Sequence, residues 1–392
     1  MSDQYSELVE IIELSEELLK KIKAHILPVE MTKQLFSTAM MVNETLFGKR
    51  ILDFQCDDKE DISAILHDFE KLISLWEEHV EIMRHGNNLD REFESIYEYF
   101  ITYDHETIEK NALARFMSYS EDYKKNFKSL PQRYTFLEGK LDKDEEDYSL
   151  ITIYTRMMKD EIENFKWLYN KLADYRSKAV LLRIIRYWFT FDLNDLSDLH
   201  ENIFKDYFDL DILSHIDDEI FVDCGAYTGD SILDFIHVCN GYKKIYGYEI
   251  SPDTMIELKN NLKERENIIL RQAGVGRENG QMFMEGDGVK ASNKLVSSNE
   301  GVSVDVVTLD EDIKEKVTTI KMDIEGAEID ALKGARNHII SEKPRLLICT
   351  YHKPSDLFEI PRLIDEMRDD YKLYLRFNGR GIWPCDHVLF DV

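Results

Sequence analysis

Residues 219–229 read EIFVDCGAYTG, an apolar stretch that runs into an acidic residue and a turn with two glycines. The apolar run is typical of a buried parallel strand, and an aspartate stands where a helix would follow the turn. Gly225 and Gly229 let the backbone approach a bound ligand closely. A second strand pattern, KKIYGYE at 243–249, ends in Glu249, where a carboxylate is placed to bind the hydroxyls of a ribose. Together these features predict a nucleoside-binding site.

The composition is that of an acidic chain that can form a sizeable core. Its 392 residues predict roughly two or three domains, and 43% of them are hydrophobic. The 77 acidic residues exceed the 49 basic ones. This charge opposes nucleic-acid binding, because phosphates are neutralised by clustered Lys and Arg. The five cysteines are scattered without metal-ligand spacing, so we expect neither disulfides nor a structural zinc.

The first residues and the hydropathy of the chain bear on its location in the cell. The first residues, MSDQYSELVE, lack the basic and apolar regions of a signal peptide. No stretch reaches about 18 uninterrupted apolar residues, so no membrane span is expected. We therefore expect a cytoplasmic protein.

Glycine and proline divide the chain into two parts. Only 3 of the 17 glycines and 2 of the 7 prolines lie before residue 201. This shift predicts an all-helical region over 1–200 and an α/β domain over 201–392. Apolar stripes at helical spacing predict helices at 5–24, 60–84, 90–103, 149–173 and 178–190. No motif assigns a role to the helical region, which is expected to serve as a dimerisation bundle, as a lid or as a docking module. A homodimer through this region is one partner arrangement that we expect.

Alternating patterns in the second part predict a mostly parallel sheet with helices on both faces. The expected strands are 219–224, 244–249, 267–271, 303–308, 318–323, 345–350, 371–377 and 387–392. The expected helices are 230–239, 252–265, 326–340 and 355–369. The last two strands have no room for a crossover helix between them, so they must pair antiparallel. Such an ending is more typical of methyltransferases than of dehydrogenases, and the fold class is a Rossmann-like class I methyltransferase sheet.

The glycine turn favours one nucleoside over another. A dinucleotide fold needs a third glycine, which the run DCGAYTGDS lacks. Asp223 would stand beside the cationic end of a sulfonium nucleoside, where it would repel a pyrophosphate. The turn therefore favours S-adenosylmethionine over NAD. The alternative is a bare turn in which Gly225 serves only to adopt a positive φ.

A second informative run is TTIKMDIEGAEIDALKGA at 318–335. Its strand delivers Asp323 to the carboxyl edge of the sheet, where open α/β sheets bind their ligands. Glu325 follows in the turn. Glu328 would lie in the first turn of the next helix, where a carboxylate either stabilises the helix dipole or takes part in the chemistry.

The strand at 345–350 presents Tyr351 and His352 at the same edge. A neutral histidine there would accept a proton from a substrate hydroxyl, whereas a loop histidine would only bond to backbone. Asp323 is the other candidate for this base. Together with Glu325, these two residues would also suit a cation, but nothing in their spacing demands one, so no metal is expected.

The order FVDCGAYTGDS, YGYEISP, VVTLD, IKMDIEGAEIDALKGA and a strand ending in YHKP resembles the FkbM family of S-adenosylmethionine-dependent methyltransferases. The resemblance covers about residues 215–392, and IKMDIEGAE is its most specific part. Many relatives have Ala-Asn between the glycines, whereas this chain has Ala226 and Tyr227. The implied cofactor-binding residues are Asp223, Gly225, Tyr227, Gly229, Glu249, Ser251, Gln272 and Ala273. The implied catalytic residues are Asp323, Glu325 and His352.

The family is known for O-methylation of hydroxyls on sugars and on secondary metabolites. The resemblance therefore implies a methyltransferase that acts on a hydroxyl of a sugar, glycan or glycosylated metabolite. Acceptor specificity is expected in the polar loop 285–301 and in the helical half. Two other readings stay open: a non-catalytic interaction protein that retains the fold, and an NAD-linked oxidoreductase.

Overall fold

The computed structural model describes residues 86–128, 139–142, 147–197, 203–213, 217–285, 302–379 and 385–392, with 199, 294–296 and separate positions between 12 and 77. The chain forms two compact units, one of Met1–Asn111 with Met158–Ile162, the other of Ala112–Met157 with Glu163–Val392. In the described part of the chain, no helix is both long and apolar enough to cross a bilayer.

Seven helices precede the first strand in the described residues. They are α1 (Asn88–Thr102), α2 (His105–Met117), α3 (Glu121–Lys128), α4 (Ser149–Asp160), α5 (Ile162–Lys171), α6 (Tyr175–Thr190) and α7 (Asn194–Ser197). The start of α1 is fixed by a capping box, in which the side chains of Asn87 and Asp90 each bond to the other's backbone amide. The helices predicted at 90–103 and 178–190 are confirmed. Those predicted at 5–24 and 60–84 lie largely outside the described residues.

The single helix predicted over 149–173 was wrong, because the chain breaks between α4 and α5. Neither glycine nor proline marks this point in the sequence. The break falls in Met158–Ile162, which packs with the unit of Met1–Asn111. There the Lys159 ammonium donates to the backbone carbonyls of Phe100 and Ile101. Tertiary packing has thus overridden a continuous helical pattern.

A seven-stranded sheet forms the core of the second unit. Its strands are β1 (Glu219–Cys224), β2 (Tyr242–Tyr248), β3 (Ile268–Arg271), β8 (Thr319–Met322), β9 (Arg345–Cys349), β10 (Leu373–Phe377) and β11 (His387–Asp391). They lie in the order β10-β11-β9-β8-β1-β2-β3, and the antiparallel pairing predicted for the last two strands is confirmed. The strand order reverses between β1 and β8, which makes their carboxyl ends the expected ligand site.

In the described residues, six more helices of this unit follow β1. They are α8 (Asp230–Val238), α9 (Pro252–Asn261), α10 (Leu309–Asp312), α11 (Glu328–Gly334), α12 (Arg336–Glu342) and α13 (Asp356–Met367). The single helix predicted at 326–340 was wrong, since α11 ends before Ala335. The Asp310 carboxylate accepts the backbone amides of Asn337 and His338 and so starts a new helix.

A second sheet, which the sequence patterns did not separate, lies beside the first. It contains β4 (Gly274–Val275), β5 (Gly280–Glu285), β6 (Lys294–Val296) and β7 (Val302–Val307) in the order β4-β7-β5-β6. The strand predicted at 303–308 therefore exists, but its place in the parallel sheet was wrong. Buried Val304 and Val306 alternate with exposed Ser303 and Asp305, as expected for a strand with one solvent face. Apart from β6, most of loop 285–301 lies outside the described residues.

Candidate functional site

A cavity opens at the carboxyl ends of β1 and β8, where the strand order reverses. Its walls come from the glycine turn, the end of β2, β4, the end of β8 and the segment 203–213. The described residues that line it are Tyr207, Gly225, Tyr227, Asp230, Ser231, Tyr248, Glu249, Ile250, Ala273, Gly274, Val275, Lys321, Asp323, Ile324, Glu325 and Ala327.

The turn after β1 needs glycine for two reasons. Gly225 has φ +82°, and a Cβ there would lie 1.9 Å from the Asp323 carbonyl oxygen. The turn therefore lies directly against the end of β8. Gly229 has φ +90° and begins α8. Between the two glycines, Tyr227 adopts φ +44°, a left-handed conformation that is uncommon for a non-glycine residue.

Glu249 lies at the end of β2 and lines the cavity. Its Oε1 accepts the backbone amide of Ser251 at 2.7 Å, which fixes the carboxylate. Burial raises the pKa of Glu249, and hydrogen bonds from the amides of Ser251, Tyr227 and Ile250 oppose that rise. Ser251 itself caps α9 and is not among the lining residues, so it acts here through its backbone.

Asp223 lies behind the cavity wall. Its side chain is fully buried and lies 3.0 Å from the Lys321 ammonium, and the Ser231 hydroxyl donates to its other oxygen. Burial raises the pKa of Asp223, which the charge of Lys321 opposes. The charge of Asp223 is therefore balanced inside the protein, and the residue is not among those that line the cavity, so it does not select the ligand.

Lys321 is the residue at this site that the sequence analysis missed. It lies directly across from Asp223 in the β1–β8 pairing and lines the cavity. Its Nζ donates to the Gly225 carbonyl at 2.8 Å. The available signal was a single lysine inside the apolar strand TIKM, because a buried cation in a central strand requires a partner.

Asp323 ends β8 and carries the densest set of contacts at the site. The Tyr207 hydroxyl donates to its Oδ2 at 2.7 Å, and the Tyr351 hydroxyl donates to its Oδ1 at 3.1 Å. Burial opposes ionisation of this carboxyl, but the His352 hydrogen bond and the Lys321 charge outweigh it and hold the pKa of Asp323 well below its usual value. Asp323 is therefore a carboxylate at neutral pH.

His352 lies beneath Asp323, between two carboxylates. Its Nδ1 is 3.0 Å from Oε1 of Glu328, and its Nε2 is 3.3 Å from Oδ1 of Asp323 and 3.9 Å from Oε2 of Glu325. Burial lowers the pKa of His352, but Glu328 and Asp323 outweigh it and raise the pKa well above the usual value. The ring is therefore an imidazolium in this arrangement, and it does not line the cavity.

Donor atoms of Asp323, Glu328 and His352 lie within 4.8 Å of one another, which is close enough to hold a metal ion. The imidazolium already supplies a positive charge between these carboxylates. Glu328, whose Oε1 also accepts the Ile324 amide at 2.9 Å, thus joins the site as a partner of His352.

The remaining predicted residues divide into two groups. Ala273 and Glu325 line the cavity, whereas Gly229 and Gln272 do not. Tyr207 lies in the segment before β1 and also lines the cavity. Its ring packs on the core, and its hydroxyl reaches Asp323.

The strand order, the cavity at the switch point and the acidic edge define a Rossmann-like methyltransferase fold with a helical N-terminal region. Comparison with known proteins agrees with this class. Residues 223–376 match the methyltransferase FkbM domain. This match confirms the resemblance to the FkbM family found in the sequence, over 223–376.

Two relatives illustrate the likeness. The hexuronic acid methyltransferase AglP of Haloferax volcanii is 23% identical over 158 residues, which span 39% of this chain and 64% of the relative. The crystal structure of methyltransferase FkbM from Methylobacillus flagellatus is 27% identical, with a TM-score of 0.51 and 60% of each chain covered. The chain thus spans less than two thirds of either protein.

Proposed function

We propose that this chain transfers the methyl group of S-adenosylmethionine to a hydroxyl oxygen of a sugar or glycan. The observation that carries the proposal is the cavity at the β1–β8 switch point. There a glycine turn, a carboxylate placed to bind ribose hydroxyls and a second carboxylate lie together. Gly225, Glu249 and Asp323 supply these three features.

The cavity's donor groups fit this cofactor. The fixed carboxylate of Glu249 suits the two hydroxyls of a ribose, and Ala273 with Gly274 forms a small wall on which an adenine would pack. Asp323 and Glu325 place negative charge at the other end, which suits a sulfonium and an ammonium cation. A pyrophosphate would meet the same carboxylates and be repelled, so Asp323 and Glu325, rather than Asp223, disfavour a dinucleotide.

Bound S-adenosylmethionine supplies an electrophilic methyl group, so the protein has mainly to align an acceptor oxygen and exclude water. Asp323 is the group that we assign to the acceptor hydroxyl, because it lines the cavity as a carboxylate. It would orient the hydroxyl and accept its proton as the oxygen attacks. His352 is assigned a positioning role, since an imidazolium cannot take that proton.

The choice of a sugar acceptor rests on the family and on one relative, which is named a hexuronic acid methyltransferase. The helical region 1–200, of which Ala112–Met157 and 163–200 share a compact unit with 201–392, is proposed to serve dimerisation, acceptor closure or docking. Among the described residues before β1, only the segment 203–213 contributes to the cavity wall, through Tyr207.

Calorimetry tests the proposal. We expect S-adenosylhomocysteine to bind the wild-type protein and NAD to give no signal. Glu249→Gln should weaken binding, because the ribose would lose a charged acceptor, whereas Lys244→Gln, on the same strand but outside the cavity, should leave it unchanged.

The reaction is then tested with labelled S-adenosylmethionine and a panel of neutral glycosides and hexuronosides. Label found on a hydroxyl oxygen supports O-methylation, and label found on a carboxylate or a nitrogen would contradict it. Binding of the cofactor without any turnover on such acceptors would favour the non-catalytic reading. Binding of NAD alone would favour the oxidoreductase.

A further inference from the structure

We propose that Lys321 binds the carboxylate of the amino-acid end of S-adenosylmethionine, in addition to its contacts inside the protein. The inference rests on the proposed cofactor and concerns a residue that neither the glycine turn nor the acidic edge would single out. It assigns a ligand contact to the basic group inside an otherwise acidic cavity.

The charged side chains that line the cavity are mostly acidic. Four acidic residues line it, namely Asp230, Glu249, Asp323 and Glu325. Among the described lining residues, Lys321 is the one basic side chain. An amino-acid end carries both an ammonium and a carboxylate. The acids suit the ammonium, and the carboxylate requires a cation or amide donors.

Four amide donors of the glycine turn are already in use. The amides of Gly225 and Ala226 both donate to the Tyr248 carbonyl, at 3.0 and 2.9 Å. The Gly229 amide donates to the Ala226 carbonyl at 2.7 Å, and the Tyr227 amide is bonded to Glu249. These four amides are therefore committed to shaping the turn and are not directed at a ligand.

The ammonium of Lys321 lies at the glycine turn. Lys321 Nζ lies 2.8 Å from the Gly225 carbonyl, so it stands at the turn that would face the amino-acid end. It lies 3.0 Å from Asp223 and 5.1 Å from the centre of the Tyr207 ring. An ammonium has three protons, and these neighbours hold it at the cavity wall while its charge stays close to the ligand.

Two ligands that differ only in the carboxylate test the proposal by calorimetry. They are S-adenosylhomocysteine and its decarboxylated analogue, 5′-deoxy-5′-(3-aminopropylthio)adenosine, which keeps the ammonium. We expect the wild-type protein to bind the first at least about tenfold more tightly than the second, as one charge-assisted hydrogen bond provides.

The double variant is chosen so that neither member of the buried Lys321–Asp223 pair is left without its partner. In the double variant Lys321→Met with Asp223→Asn, the preference for S-adenosylhomocysteine should fall to nearly onefold. Asp223→Asn alone keeps the lysine and should keep the preference. Glu249→Gln should weaken both ligands by the same factor, because it acts on the ribose, and should also keep the preference.

Three results of these measurements would contradict the role proposed for Lys321. A preference that survives in the double variant would overturn the role of Lys321 and assign the carboxylate to backbone amides at the start of α8. A preference that is lost already in Asp223→Asn would mean that the pair only shapes the turn, and would also overturn it. If the wild-type protein binds neither ligand, the cofactor proposal itself fails, and the contact fails with it.

Discussion

The hydroxyl of Tyr207 donates a 2.7 Å hydrogen bond to Oδ2 of Asp323, although 116 positions separate the two residues. Tyr207 lies outside the part of the chain that matches the FkbM domain, whereas Asp323 lies within it. The tyrosine has φ +66°, which a non-glycine residue adopts only when its surroundings hold it there. The part of the cavity around Asp323 is thus completed by a residue from the segment before β1.

Tyr207→Phe tests this relationship. Removing the hydroxyl frees one oxygen of the Asp323 carboxylate to rotate, so we expect turnover to fall by about 10- to 100-fold, the range of a hydrogen bond to a charged group. Affinity for S-adenosylhomocysteine should change by less than about twofold, because the ring remains and the lost contact is on the acceptor side. Initial rates and calorimetry on the same preparation measure both quantities.

Tyr351→Phe is the matched control. Its hydroxyl donates to the other oxygen of Asp323 at 3.1 Å, but Tyr351 does not line the cavity. We expect a smaller loss of turnover. If Tyr207→Phe left turnover intact, or reduced cofactor affinity as much as turnover, the positioning role would have to be abandoned.

Gly225→Ala should disrupt the glycine turn. A Cβ at this position would lie 1.9 Å from the Asp323 carbonyl oxygen, and φ +82° disfavours alanine. We expect the free energy of unfolding in urea to fall by at least about 2 kcal/mol, and binding of S-adenosylhomocysteine to be lost. Gly241→Ala should change neither, since a Cβ there would meet nothing within 4 Å. Equal stability of the two variants would refute the contact.

The residues that could be predicted from the sequence share one property. Gly225, Glu249 and Asp323 each stand at the end of an apolar strand, and parallel strands bring their carboxyl ends to one edge. A local pattern therefore places each of them at the ligand edge without knowledge of any other part of the chain. Their roles toward cofactor and acceptor remain predictions.

The residues that the sequence did not place depend on contacts between distant segments. Lys321 meets Asp223 because of the register between β1 and β8, and Tyr207 reaches the cavity because other residues hold its segment. The charge of His352 is set by Glu328 from the start of α11. Neither residue spacing nor helix and strand propensity determines the register between two distant strands or the protonation state of a side chain. These features are therefore seen only in the three-dimensional structure.

Arg376 anchors the segment that carries Tyr207. Its buried guanidinium donates to Asp209 and Asp174, each at 2.7 Å, and to the Ser177 hydroxyl at 2.8 Å. Arg376→Met would remove the guanidinium from both carboxylates and leave Asp209 with only the longer contact to Arg176 at 3.3 Å, so we expect the free energy of unfolding to fall by about 3 kcal/mol or more. Urea denaturation followed by circular dichroism measures this.

The control for Arg376 is Lys243→Met. Lys243 pairs with Asp218 at 3.5 Å on the surface, where water screens the charges. This variant should denature like the wild-type protein. Hydrogen exchange adds a second readout, because residues 203–213 should exchange faster in Arg376→Met alone. Unchanged exchange there would contradict the anchoring role.

The dependence of the methylation rate on pH distinguishes the two candidate bases. If Asp323 receives the proton, the wild-type rate should hold down to acidic pH, since the pKa of Asp323 is well below its usual value. His352→Gln removes the adjacent positive charge, so the pKa of Asp323 should rise and the acid limb should move toward neutral pH.

The opposite assignment gives a different pattern. If His352 were the base, protonation of its imidazole would cause the fall of the wild-type rate at acidic pH. His352→Gln would then abolish this acid limb. His387→Gln is the control, because His387 bonds to Thr350 at 2.8 Å and its pKa is lowered to about 3 by burial. That variant should leave the acid limb where it is.

Asp356 makes stability depend on pH in a definite direction. Burial, followed by the nearby charge of Glu328, raises the pKa of its carboxyl to about 7. The folded state therefore keeps a proton that the unfolded chain releases near its ordinary pKa of about 4. The protonated group favours folding fully below about pH 4, and this stability is lost as the pH rises to about 7.

Asp356→Asn should remove this loss, because the amide cannot ionise and its oxygen can still accept the Lys353 amide, which now donates to Oδ2 at 2.9 Å. The two proteins should have similar free energies of unfolding near pH 4. By pH 7 the variant should be more stable by a few kcal/mol at most, on the order of the shift in pKa. Urea denaturation at several pH values measures the difference. A gap that is constant with pH, or that closes as the pH rises, would show that Asp356 is ionised in the folded protein.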